Sequence, residues 1–127
     1  MIAADTSTWV AFLNGAPGND TLLLKNALQA RHVSMVPVVL TELLSDPKLP
    51  PAAAASLSDL PLIEIESGFW QRAGALRASV LAGHHKARLG DALIAQTCID
   101  AKVPLITRDR DFRAFAQAAA LDLILTP

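Results

Sequence analysis

Cys98 is the one cysteine in 127 residues, so the chain cannot close a disulfide within itself. Its stability must come from a packed core, and a reducing, cytoplasmic setting is the expected one. Charge is sparse as well, at 18% of residues with a net value near −1. That balance argues against a broad electrostatic binder of nucleic acid, which would be basic. It leaves room for an enzyme in which bound metals and local arginines supply the positive field. No basic leader precedes the first apolar run, and no stretch reaches the length of a membrane span. The most apolar segment, Met35–Leu44, is broken by Pro37 and Glu42. Neither a secretory signal nor a membrane partner is therefore expected. Hydrophobic residues, by contrast, make up 52% of the chain. This exceeds an average soluble domain and points to surface kept for a partner or a second copy.

The length fits one domain, residues 1–127, large enough to bury most of its surface in a single core. Along it, short apolar runs alternate with helical patterns. Strands are expected at Ile2–Asp5, His32–Val36, Leu62–Ile65, Leu105–Thr107 and Asp122–Leu125. Helices are expected at Thr8–Leu13, Asn19–Ala30, Pro37–Ser45, Ala52–Ser58, Phe69–Leu81, Leu89–Lys102 and Phe112–Ala120. Gly83-His84-His85-Lys86 reads as a connecting loop. Strands separated by helices imply right-handed βαβ units on a parallel sheet.

Against this pattern four acids stand out. Asp5 and Asp109 follow apolar runs, while Glu42 and Asp91 are placed in the first turns of two helices. Strand C-termini and helix N-termini share one sheet edge in such a fold, the edge where open α/β sheets bind ligands. Each acid also has an ordinary reading: Asp5 as an N-cap in rivalry with Thr6, Ser7 and Thr8, Glu42 as a solvated acid, Asp91 as a complement to the helix dipole, Asp109 and Asp111 as a cap and a surface charge. Singly, those readings fit at least as well; the shared edge is what favours a site. Two carboxylates about 5 Å apart repel by roughly 3 kcal/mol at an effective dielectric near 20, so a cluster of them calls for protons or cations. An all-oxygen set suits Mg²⁺ or Mn²⁺, and such ions typically act on phosphates. The chemistry implied is phosphodiester hydrolysis without a covalent protein nucleophile. Lys86, Arg88, Arg108, Arg110 and Arg113 lend the C-terminal half a basic patch, in which Arg108 or Arg110 is expected to meet substrate phosphate. His84 and His85 read as a solvated turn, Cys98 as core, and Trp9 and Trp70 as packing or partner contacts.

The segments Asp5-Thr6-Ser7, Leu40-Thr41-Glu42-Leu43, Leu89-Gly90-Asp91-Ala92-Leu93-Ile94-Ala95 and Leu105-Ile106-Thr107-Arg108-Asp109-Arg110-Asp111-Phe112 resemble the PIN-domain ribonucleases. Within these, the chain is most similar to the VapC-like toxins of bacterial type II toxin–antitoxin pairs. The likeness runs the length of the chain; each motif is weak alone, and four in order are specific. The resemblance implies a three-layer α/β/α sandwich on a parallel sheet of about five strands. It implies Mg²⁺ or Mn²⁺ ligands at Asp5, Glu42, Asp91 and Asp109, with Thr6, Ser7 and Thr107 as supporting hydroxyls and Asp111 acting through water. It further implies an endoribonuclease acting on RNA, a homodimer, and silencing by a small cognate antitoxin that enters the active-site groove. Two other readings are a haloacid-dehalogenase-like phosphatase and a non-catalytic PIN-like scaffold. The first wants a second Asp two residues after Asp5, where Ser7 stands; the intact acids argue against the second.

Overall fold

A computed structural model describes residues 1–126; Pro127, the last residue of the expected domain, lies outside the described residues. The elements are β1 (Ala3–Ala4), α1 (Thr6–Leu13), α2 (Asn19–Gln29), α3 (Pro37–Leu44), α4 (Pro51–Ser58), α5 (Phe69–Ala82), α6 (Leu89–Ala101), β2 (Leu105–Thr107), α7 (Phe112–Ala118) and β3 (Leu123–Leu125).

Local chemistry sets the boundaries. α1 starts at Thr6 because Asp5 wins the capping position, its carboxylate accepting the Thr8 backbone N–H. α3 and α4 each start on a proline, whose fixed φ suits a first helical turn and whose missing N–H costs nothing there. α6 stops at Lys102, which turns left-handed at φ 55°. Its interior residues Ala92, Ile94, Ala95, Gln96, Thr97 and Cys98 are all buried, so it is walled in on most sides.

The three strands are parallel, in the order β1-β2-β3, with Ala3 opposite Leu105, Leu105 opposite Leu123 and Thr107 opposite Leu125. The two other expected strands are reduced to single parallel bridges, Ile2 to Val33 and Met35 to Leu62. Backbone bonds nevertheless carry the ladder outward, from Ser34 N–H to Ile2 O, Met35 N–H to Pro61 O and Ile63 N–H to Met35 O. Pro61 has no N–H to return and Leu62 is half exposed, so this edge is short and interrupted, as sheet edges tend to be. The spatial sequence is therefore Leu62, Met35, β1, β2, β3.

From β1 the chain moves outward through α1–α4; it then jumps back across β1 to β2 by way of α5 and α6. Right-handed crossovers put those two helix sets on opposite faces, giving the α/β/α layering. β1 and β2 are buried at every residue, as strands covered on both faces must be. The direction of winding reverses between β1 and β2. That switch point leaves an open crevice at their C-terminal ends, directly after Ala4 and Thr107.

Candidate active site

Asp5 follows β1 into that crevice and is 3% exposed. Ser7 Oγ donates to both carboxylate oxygens (3.0 and 2.8 Å), Thr8 N–H to Oδ1 (3.1 Å) and Thr107 Oγ1 to Oδ2 (2.8 Å). Burial drives the Asp5 carboxyl above its ordinary value; the bonds from Ser7, Thr8 and Thr107 oppose this without cancelling it. Thr107, fully buried at the end of β2, also accepts the Asp109 N–H through the same hydroxyl (2.9 Å). One side chain thus joins the two strand ends that carry Asp5 and Asp109.

Asp91 is the third residue of α6, and its carboxylate lies beside those of Asp109 and Asp111. One of its carboxylate oxygens, Oδ2, is buried with no hydrogen-bond partner. Its pKa is pushed up to about 6, first by burial, then by the negative charges of Asp109 and Asp5, with Arg88 opposing and Glu42 adding to the rise. The influence of three separate acids on one carboxyl is the electrostatic mark of their convergence. Oxygens of Asp91, Asp109 and Asp111 lie within 4.8 Å of one another, a set that does not include Asp5 or Glu42. Asp111 N–H caps Asp109 Oδ1 at 2.9 Å, and Lys86 Nζ stands 3.6 Å from Asp111 Oδ2. Asp111, expected to act through water, has a carboxylate oxygen in this same group.

Glu42 belongs to the second turn of α3, not the first, since the helix starts at Pro37. It is exposed, and its Oε1 accepts Thr6 Oγ1 at 2.9 Å. It reaches across to α6, where a Cβ on Gly90 would lie 3.7 Å from Oε1, in ordinary van der Waals contact. Arg108 is turned elsewhere. Its Nε and Nη2 grip Asp20 at 2.7 and 2.9 Å, so its fork is engaged within the fold rather than offered to a substrate. Arg110 is exposed beside the cluster. Asp20, 1% exposed in the first turn of α2, is an acid that sequence inspection passes over. Burial raises its pKa, yet bonds from Arg108, Thr8 and the Thr21 backbone outweigh it and hold the carboxyl below the usual range.

The donor set fits a hard divalent cation. It is all oxygen, it contains a buried carboxylate oxygen with no proton donor, and it carries like charges that repel while unneutralised. Cys98 is unsuited to act as a nucleophile: it is buried, and burial together with the Asp5 charge pushes its thiol up to about 12.

Residues 2–118 match the PIN domain family. The chain belongs to that family. PIN domains are generally nucleases that use divalent metals. No curated protein matches the chain in sequence. Among solved structures, VapBC2 from Rickettsia felis bound to a promoter DNA fragment is similar at TM-score 0.76 and 22% identity, covering 100% of both chains. VapBC-5 from Mycobacterium tuberculosis, a toxin–antitoxin system, is similar at 0.70 and 22%, covering 98% of this chain and 97% of that one. FitAcB from Neisseria gonorrhoeae is similar at 0.68 and 16%, with coverage of 98% and 96%. These likenesses show a shared PIN fold.

The raised Asp91 value carries a pH signature. A carboxyl whose folded pKa (about 6) exceeds its ordinary 3.8 binds its proton more tightly in the folded chain, so its contribution to stability is lost as pH rises through that window. In chelator, Asp91→Asn is expected to melt above wild type at pH 7, with the difference shrinking towards pH 4. Comparing variant with wild type removes the opposite trend that Asp20 and Asp100 impose on both proteins. Melting curves that show no gain for the variant at any pH would mean the acids are not crowded.

Proposed function

We propose that this PIN domain, residues 1–127, is a Mg²⁺- or Mn²⁺-dependent endoribonuclease toxin of the VapC type, cytoplasmic and held in check by a cognate antitoxin. The observation that carries the reading is the buried, partnerless Asp91 Oδ2 in a crevice whose neighbouring oxygens come from Asp109 and Asp111.

Asp5, Asp91 and Asp109, with Glu42 at the rim and Asp111 beside Asp109, are the groups that would hold the ion. When bound, a divalent cation there would lower the pKa of a water and neutralise charge on a phosphodiester. The protein's own contribution is preorganisation. Asp5 is fixed by Ser7, Thr8 and Thr107 and cannot swing away. Thr6 aims Glu42 towards α6. Lys86, Arg88 and Arg110 flank the acids and supply the positive charge that a polyanion needs near a negative crevice. With Cys98 buried and protonated, direct attack by water is the step this site is built for.

The surfaces support the proposed partners. A groove of about 370 Å³ runs from Ala53 past Leu49, Leu13 and Val10 to Glu42 at the rim of the site, with Asn14, Asp46 and Lys48 adding polar groups to its walls, a mixed surface that suits an inserted antitoxin segment. On another face, Trp70, Leu81 and Leu89 are exposed around α5 and α6, a surface suited to a second copy of the chain. No helix of the described residues is long and apolar enough to cross a membrane.

Asp91→Asn is expected to remove detectable RNA cleavage in Mn²⁺ buffer while leaving the far-UV circular dichroism spectrum unchanged; full activity in this variant would contradict the reading. Arg110→Ala, assayed by RNA binding at several salt concentrations, is expected to weaken affinity and flatten the salt dependence by about one phosphate contact. Unchanged binding and cleavage would remove Arg110 from the substrate path.

A further inference from the structure

The ion pair between buried Asp20 and partly exposed Arg108 closes a loop of contacts that passes through both halves of the site. Asp5 Oδ1 accepts Thr8 N–H at 3.1 Å, and Thr8 Oγ1 donates to Asp20 Oδ2 at 2.9 Å. Arg108 donates to both oxygens of Asp20 (2.7 and 2.9 Å). One residue back along the chain, Thr107 Oγ1 returns to Asp5 Oδ2 at 2.8 Å. Asp109, the next residue on, hangs its N–H on the same Thr107 hydroxyl. Thr8 and Thr107 are fully buried and Asp20 nearly so. The backbone is shaped for this clasp: Gly18 sits at φ +155°, and a Cβ there would come 2.5 Å from Asp20 Oδ1 and 2.9 Å from Arg108 Nη2.

We infer that Asp20, acting through Arg108 and Thr8, is a positioning residue that fixes the separation of the Asp5 and Asp109 arms so that they hold a divalent cation together. Repulsion among Asp5, Asp91 and Asp109 pushes the arm after β2 away from α1. A bidentate guanidinium–carboxylate pair anchored on α2 resists that opening through geometry that a point charge does not reproduce. The inference rests on the nuclease reading, since the distance matters only if the arms share an ion.

The test is calorimetric titration of the full chain, stripped with chelator, with Mn²⁺ alone, alongside thermal melts. Asp20→Ala and Arg108→Lys are each expected to weaken Mn²⁺ binding about 10-fold or more while remaining folded at the titration temperature. Asp100→Ala, which breaks the comparable Arg72–Asp100 pair on α5 and α6, is expected to lower the melting temperature and leave Mn²⁺ affinity unchanged. If Asp20→Ala does not fold, Arg108→Lys decides. Wild-type affinity in both site variants overturns the inference alone, as does an equal loss in Asp100→Ala. Absence of Mn²⁺ binding in wild type overturns the nuclease reading and this inference with it.

Discussion

Mutual repulsion of carboxylates at one sheet edge is the constraint around which the molecule is arranged. Asp5, Asp91 and Asp109 come from a strand end, a helix start and a second strand end, and Asp91 feels the charge of the other two. A small domain tolerates that crowding when each acid is held by something stronger than its urge to separate. For Asp5 the restraint is three donors within 3.1 Å. For Asp109 it is Thr107, whose hydroxyl binds both strand ends at once. Burial still wins at Asp5, leaving its proton affinity raised. The unmet demand for positive charge is concentrated at Asp91 Oδ2, a buried carboxylate oxygen with no hydrogen-bond partner.

The fold makes the meeting possible. Because the winding of the sheet reverses between β1 and β2, no crossover covers their C-terminal ends, and the crevice stays open where Asp5 and Asp109 emerge. α6 brings Asp91 to the same place from across the layer. Its buried residues Ala92, Ile94, Ala95, Gln96, Thr97 and Cys98 anchor the helix in the core and so hold the turn that carries Asp91. Glu42, from α3, completes the rim beside Gly90.

Much of this was legible from local pattern. Asp5, Asp91, Asp109 and Thr107 are tied to strand ends and a helix start, features that hydrophobic runs and helix boundaries mark out. The inner strands and all seven helices follow the apolar periodicity to within a few residues. The outer strands were less legible, because Pro61 and the exposed Leu62 thin the pairing to single bridges in a way that composition does not announce. Glu42 is the sixth residue of a helix whose start at Pro37 the sequence already marks, so its second-turn place follows from counting along that helix. Arg108 and Asp20 were the least legible. They lie 88 residues apart, and each residue type normally belongs to the surface. Nothing local says that two such side chains meet, or that Asp20 is buried where they do.

The central claim is that these side-chain oxygens form one divalent-cation site, and anomalous diffraction from crystals soaked in Mn²⁺ tests it most directly. The account predicts a strong manganese peak in the crevice, in contact with oxygens of Asp91 and Asp109 and beside Asp5. A well-ordered crevice without a peak, or manganese bound solely at acids elsewhere on the surface, would contradict it.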